Sequence, residues 1–456
     1  MFRLGKGQPV DMATVSRLEE SDRCGMTTIE PAKSPNKGRS MSVLIIAFEA
    51  GRWGPARLPK PLHEAGFRVS ALCPPDNALA QTRFLDSRFP LHDVKSLRHF
   101  QRRLGEVLSA CEPELIIPAD ERVVACLHAL VRRSRRRRLA RLAPAWIDVV
   151  VKSLGSPAHF DEMLLKSETM KLAGSVGVLA PEGRTVRSDK SVVDAVREIG
   201  LPLYVKTSFS WAGQGVQYCQ TEADASEAVR RAVHYSPFDR VRRVVKYWLS
   251  RDWYPVNSPI DAQRAIVGVP AMFSAVAMNG RLLAGFAGLK QQTSYSGGPS
   301  SIVWLGANRA IEAASTKMIS ALGASGFISF DFMIESGTER VFLIECNPRP
   351  GQVSHLGSRI GVNLCKALAH ELRGERPSRP IPAAAGATVP LFPQEWLRDP
   401  SNASRRAGEL DAPTDDPVLL KFMIDTCGGG AKAPELALGK VGARVAFSEG
   451  AGGSIG

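Results

Sequence analysis

Read for the spacing of apolar and polar positions, the chain falls into two unlike blocks that meet near residue 155. In the first block, VLIIAF within MSVLIIAFEAG reads as a buried strand. GPARLPKPLHEAGF reads as a helix closing at Gly66, and RVSALC as a second strand. LRHFQRRLGEVLSACE carries helical periodicity, and LIIPADE is a strand ending in Asp120 and Glu121. Alternating strand and helix predicts a parallel sheet with helices on its faces. Ligands on such sheets lie beyond the C-terminal ends of the strands. Glu49, Asp120 and Glu121 stand at such ends, where each reads as a loop or cap residue.

The second block opens at Ser156–Pro157 with a helix ending around Gly174–Gly177. VVDAVREIG is helical, LPLYVKTSFSWAGQGVQYC is strand, glycine loop and strand, and ADASEAVRRAVHY is a further helix. From residue 241 the pattern turns to strands: VRRVVKYWL, AMFSAVAMNGRLLAGFAGL, GFISFDFMI and RVFLIECN. Asn279–Gly280 is a hairpin signal. Helices are expected near 309–322 and 362–373. Residues 1–40 are polar and unpatterned and read as a disordered arm, with Met41 a second candidate start. Residues 427–456 are rich in Gly and Ala and read as a flexible tail.

A length of 456 residues exceeds one core, and 44% apolar with 23% charged residues is the balance of a folded protein. No apolar run is long enough to span a membrane. The N-terminus lacks an apolar signal core, and eight scattered cysteines without a Cys-x-x-Cys suit a reducing compartment, so the cytoplasm is the expected location. Lys plus Arg exceeds Asp plus Glu by 59 − 45 = +14. Half of that excess is the run from Arg132 to Arg141, RRSRRRRLAR, which reads as a solvated helix face. No aromatic residues interleave with it, so nucleic acid is the less favoured partner.

Three stretches carry candidate chemistry. In YVKTSFSWAGQGVQY, Lys206 precedes a loop holding Gly213 and Gly215; glycines let backbone amides approach an anion, and the lysine adds a charge. Strands flank this loop on both sides, so it is neither a P-loop nor a dinucleotide fingerprint. Alone it reads as a hairpin, just as Lys166 alone reads as a surface charge on a helix. The third stretch is FISFDFMI with FLIECNPRPG. Asp331 sits among phenylalanines, where a carboxylate is costly unless paired or bound to metal. Antiparallel pairing would set it near Glu345, and Asn347 would share the face of Glu345. Oxygen donors without His or Cys suit Mg²⁺ or Mn²⁺, completed by water and phosphate. Arg349, one step further on, is placed for a phosphate or carboxylate.

In this order the set resembles the ATP-grasp superfamily of ATP-dependent carboxylate ligases, over roughly residues 156–375. Residues 41–140 are similar to the Rossmann-like domain that precedes the grasp there. The resemblance implies an α/β and α+β fold: a parallel pre-grasp domain, then a small lid (about 170–240) and a larger mixed-sheet core (about 241–375). Residues 376–426 would form a C-terminal extension. It implies ATP and two Mg²⁺ (or Mn²⁺) ions as cofactors. Lys166 and Lys206 match the phosphate-binding lysines, and the loop from Ser208 through Gly213 and Gly215 matches the lid loop. Backbone groups of Val245, Lys246, Tyr247 and Trp248 would meet the adenine edge, and Asp252 the ribose. Asp331, Glu345 and Asn347 match the metal ligands, and Arg349 and Lys206 the catalytic positions. YSGGPSS, residues 295–301, resembles a segment lining the acceptor site. The family often has an acidic residue at the start of the hinge, where Val245 and Lys246 stand here.

The implied activity is a carboxylate–amine ligase acting through an acyl phosphate, with small-molecule carboxylate and amine substrates, no membrane partner, and a homodimer left open. The alternative is a kinase-like or nucleotide-sensing ATP-binding protein without ligase turnover. Acceptor specificity would lie in the 41–140 domain and in residues 285–301.

Overall fold

The computed structural model describes residues 41–49, 53–92, 94, 96–136, 144–207, 216–233, 260–295, 298–375, 386–399 and 410–427. The expected arm (1–40) and nearly all of the expected tail lie outside them. So do Ser208, Gly213 and Gly215 of the lid loop and Val245, Lys246, Tyr247, Trp248 and Asp252 of the hinge.

The parallel sheet holds β1 (Met41–Ile46), β2 (Phe67–Cys73), β3 (Ser87–Pro90) and β4 (Leu115–Pro118) in the order β3-β2-β1-β4. β1 is paired on both edges and covered on both faces. Val43 and Ile45 enter one apolar core, Leu44 and Ile46 the other, which is why its sequence is continuously apolar. Helix Leu97–Cys111 packs Phe100, Leu104 and Leu108 inward and is capped by Ser96, whose hydroxyl accepts from His99 N at 3.2 Å. The single helix expected over residues 54–67 is two short ones, Trp53–Ala56 and Pro59–Glu64. Pro59 lacks the N–H that would carry a helix through this point and starts the second one instead.

The helix expected from Ser156 onward is also broken. A 3₁₀ turn and helix Phe160–Leu164 precede helix Lys166–Ser175, and Leu165 between them is extended, with φ −96° and ψ 115°. A small sheet follows: β5 (Gly183–Val186), β6 (Leu203–Thr207), β7 (Val216–Cys219) and β8 (Ile260–Arg264), ordered β5-β8-β6-β7. Helices Asp189–Ile199 and Glu222–Val233 cover it and close a separate core around Val192, Leu203, Val205 and Val229. This sheet takes in residues 260–264, which sequence reading places with the larger core.

The large sheet is antiparallel throughout. It comprises β9 (Gly268–Met278), β10 (Arg281–Thr293), β11 (Ser300–Gly306), β12 (Gly326–Glu335), β13 (Val341–Asn347) and β14 (Ala387–Pro390), in the order β13-β12-β9-β10-β11-β14. Asn279 (φ 51°) and Gly280 (φ 76°) turn β9 into β10 with the two positive φ angles that this tight turn needs. Phe273, Phe330 and Phe332 face a core shared with helices Arg309–Leu322 and Leu97–Cys111. Met272, Val276 and Phe286 face the other, shared with helix Leu364–Arg373 and the far side of β1. The parallel and antiparallel sheets are therefore held by the same two cores.

The segment read as a C-terminal extension belongs to this body. β14 is the sixth strand of the large sheet, and Trp396, Leu419 and Met423 are buried. Asp411, 4% exposed, ties three elements together. Its carboxylate accepts from Arg57 at 2.9 and 3.2 Å and lies 2.7 Å from His355 Nε2, while its carbonyl accepts from Arg57 at 2.7 Å. Burial pushes this carboxyl up, but His355 and Arg57 more than offset it and hold the group down to about 2.

A native value below the ordinary 3.8 means that Asp411 supports the fold above pH 3.8 and that this support is lost as pH falls toward 2. Asp411→Ala should cost about 3–5 kcal/mol, the usual effect of stripping one partner from a buried ion pair. Its acid-unfolding curve should also be flatter between pH 2 and 4. Denaturant titrations across that range check both, and a wild-type-like stability would show that the C-terminal segment is not held by this residue.

Candidate active-site cleft

The carboxylates face the cleft because of one irregularity in β13. Asp331 pairs with Glu345, but the next pair is Phe332 with Leu343, so Ile344 is an extra residue, a β-bulge. In a regular strand Glu345 would share the face of Leu343 and point into the core with Phe330 and Phe332. The bulge turns Glu345 and Asn347 to the opposite face, beside Asp331, and leaves Leu343 and Cys346 in the core. Asn347, 6% exposed, donates to Asp331 Oδ2 at 3.4 Å. Glu345 meets Lys166 Nζ at 3.2 Å. The break at Leu165 sets Lys166 at the first position of its helix, over this carboxylate.

Lys206 extends from β6 of the small sheet and hydrogen-bonds Gln263 on the neighbouring β8. Burial, then the charge of Lys166, lowers its ammonium to about 8, although Glu345, Asp261 and Asp331 pull the other way. The two lysines and two carboxylates predicted from sequence thus lie within one another's electrostatic reach.

Arg349 lines the same cleft, with its guanidinium engaged by neighbouring groups. Its Nε donates to Glu121 Oε1 at 2.7 Å and its Nη2 to the same oxygen. Nη2 also donates to Asn347 Oδ1 at 3.2 Å, and Nη1 to the Pro350 carbonyl at 3.1 Å. Glu121 opens helix Glu121–Arg136, just beyond β4. Sequence reading took it for a loop or cap residue; the capping falls instead to its neighbour Asp120, fully buried. Asp120 accepts from Val123 N at 3.0 Å and from Phe48 N and Glu49 N at 2.6 and 3.2 Å. One carboxylate therefore fixes the loop after β1, and the next reaches across to the large sheet.

Around these groups lies a cleft of about 870 Å³. Glu49, Trp53 and Glu121 line it from the parallel-sheet side, and Lys166, Asp331, Glu345, Asn347 and Arg349 from the centre. Lys290 and Tyr295 border it from β10 and the turn that follows, and Gln394 and Arg398 from the C-terminal segment. The contributions of Gln394 and Arg398 were missed in sequence, because LFPQEWLRDP has no pattern of its own. Among the described residues no cluster of three His, Cys, Asp or Glu is arranged for a metal ion. The donors present are two carboxylates and an amide oxygen on adjacent strands. They fit a hard cation that keeps water and takes further oxygens from a phosphate, and do not fit zinc.

Two sheets joined by a small lid-like sheet, with this cleft between, are the architecture of an ATP-grasp protein. Residues 166–373 match the family model described as carbamoyl-phosphate synthase L chain, ATP binding domain. This match covers somewhat under half of the chain, and together with the solved structures below it supports the ATP-grasp superfamily. The chain is 24% identical over 318 residues to the carbamoyl phosphate synthase large chain of Paenarthrobacter aurescens, covering 66% of this chain and 26% of that one. It is 23% identical over 311 residues to the same protein of Thermus thermophilus, covering 64% and 29%. The chain thus spans under a third of the length of these relatives. Among solved structures, it resembles the biotin carboxylase domain dimer of the Hydrogenobacter thermophilus 2-oxoglutarate carboxylase, in complex with MgADP, ADP and bicarbonate. That match has a TM-score of 0.54 at 14% identity and covers 77% of this chain and 74% of that one. The L-amino acid ligase of Bacillus licheniformis gives 0.54 at 15% identity, covering 78% and 80%. Among the described residues no helix is long and apolar enough to cross a membrane.

Lys166→Met should raise the Lys206 ammonium from about 8 back toward the ordinary 10.5, since a neighbouring positive charge disappears and Glu345 is freed to act on it. The pH dependence of Lys206 acetylation, followed by mass spectrometry, measures this. An unchanged midpoint would mean that the two lysines do not share a site.

Proposed function

We propose that this chain is an ATP-dependent ligase that activates a small-molecule carboxylate and joins it to an amine or another nucleophile. The observation that carries the reading is the bulge-directed row of Asp331, Glu345 and Asn347, with Lys166 on one side and Arg349 on the other. A carboxylate oxygen of the acid would attack the γ-phosphorus of ATP, and the bond to the β-γ bridging oxygen would break, releasing ADP. The nucleophile would then attack the carbonyl carbon of the acyl phosphate, lose its proton, and expel phosphate. Each step concentrates negative charge on phosphoryl oxygens, so the protein's contribution is positioning and neutralisation.

Lys166 and Lys206 would hold the phosphates, with the amides of the loop at Ser208, Gly213 and Gly215 closing over them. Val245, Lys246, Tyr247, Trp248 and Asp252 remain the proposed contacts to the base and ribose. Asp331, Glu345 and Asn347 would hold Mg²⁺, as two ions, which when bound neutralises the phosphate oxygens. Arg349, oriented by Glu121, would place positive charge beside the group in transfer. Exclusion of water by the closed lid would protect the intermediate from hydrolysis. The alternative, an ATP-binding protein without ligase turnover, has the altered hinge at Val245 and Lys246 as its motive.

Glu345→Ala should leave the fold intact yet lose the thermal stabilisation that Mg-ATP gives wild type by mass action. Full activity in this variant would remove the metal assignment. Arg349→Lys should bind ATP nearly as well as wild type and lose roughly two to three orders of magnitude in turnover, the effect of removing one charge-stabilising donor. Release of ADP and phosphate across a panel of acids and amines reads the reaction itself. ATP binding with no turnover on any pair would put the alternative ahead.

A further inference from the structure

Among the described residues, the cations that line the cleft are Lys166, Lys290, Arg349 and Arg398. Three of them are committed within the protein. Lys166 pairs with Glu345 at 3.2 Å. Arg398 grips buried Glu395 through Nε at 2.7 Å and Nη2 at 2.6 Å. Arg349 uses four of the five N–H groups of a guanidinium on Glu121, Asn347 and Pro350, so a two-pronged grip on a substrate would require breaking its own bonds. Lys290 is the exception. It is half-buried on β10, and among the described residues no hydrogen bond or ion pair reaches it. A lysine left without a partner in the lining of a binding cleft is suited to an anion brought by the ligand.

The register says where that anion would sit. Asp331 is level with Met272 and Gly288, across β12, β9 and β10. Lys290 is two residues further along β10 than Gly288. Two strand spacings and two residues of rise put the Asp331 and Lys290 backbones roughly 12 Å apart. An anion on Lys290 would then be a different group from the carboxylate that attacks the phosphate beside Asp331 and Glu345. Met272 lines the cleft between Asp331 and Lys290, packed on buried Gly288, where a Cβ would approach Met272 Cγ to 3.0 Å; Ser274 and Ser329 line the same face. Trp53 borders the same cleft. An ammonium at one end, the Met272 side chain between, and the groups read as carboxylate-activating at the other end suit a short chain charged at both ends.

We infer that Lys290 anchors a second anionic group on the acid substrate, so that the acid activated in this cleft is a dicarboxylate or another acid with two anionic groups a few carbons apart. The inference rests on the ligase reading above. It assigns Lys290 to substrate selection, and not to the nucleotide.

The test uses the full chain loaded with MgADP and titrated by calorimetry with succinate, glutarate and adipate and with the monomethyl ester of each. Wild type should bind at least one diacid tenfold or more tightly than its own ester. Lys290→Met should abolish that preference while MgADP affinity is unchanged, and Lys290→Gln serves as a second variant if the first fails to fold. Equal or undetectable binding of every diacid and its ester to wild type would overturn the inference. So would a loss of MgADP affinity in the variants with diacid preference intact, which would make Lys290 a phosphate contact. The ligase reading fails by a different result: a diacid preference that depends on Lys290, but no ADP release with ATP, any of these acids and hydroxylamine as the nucleophile.

Discussion

The cleft depends on a single unpaired residue. Ile344 interrupts the ladder between β12 and β13, and only because of it does Glu345 leave the core face and stand beside Asp331. Without the bulge, an ionised carboxylate would lie among Phe330, Phe332 and Leu343, at a cost no partner there could offset. With it, Leu343 and Cys346 keep the core filled while two carboxylates and an amide line up on the opposite side. Lys166 then has an anion to pair with, and Lys206 is lowered by its burial and then by the charge of Lys166.

A second dependence runs between the two sheets. Glu121 follows a strand of the parallel sheet, Arg349 follows a strand of the antiparallel one, and their contact spans the cleft. The same two apolar cores pass through both sheets, so this charge pair sits in a nearly rigid frame. It also largely occupies the arginine, leaving other cleft residues to meet a substrate anion. The C-terminal segment completes the frame: β14 extends the sheet, Asp411 locks Arg57 and His355 together, and Gln394 and Arg398 reach the rim. The small sheet has an apolar core of its own, separate from the two that hold the larger sheets.

Much of this was determined by local sequence. Continuous apolar runs such as VLII specify strands buried on both faces, alternating strand and helix specify a parallel sheet, and Asn279–Gly280 specifies a hairpin. Those rules act within a few residues, so they survive reading without a fold. The juxtaposition of Asp331 with Glu345 was also legible, since two apolar strands joined by a short turn have few ways to pair. What tertiary structure alone decided was everything that needed a distant partner. The bulge at Ile344 follows from fitting Leu343 and Cys346 into a core made by other elements, and nothing in FLIECN announces it. The pairing of Arg349 with Glu121 joins residues 228 positions apart, and Asp411 meets Arg57 across 354. Lys290 looks like any strand lysine until the cleft around it is assembled. Charge and burial are properties of an environment, and the environment of each of these residues is supplied by segments far away in the chain.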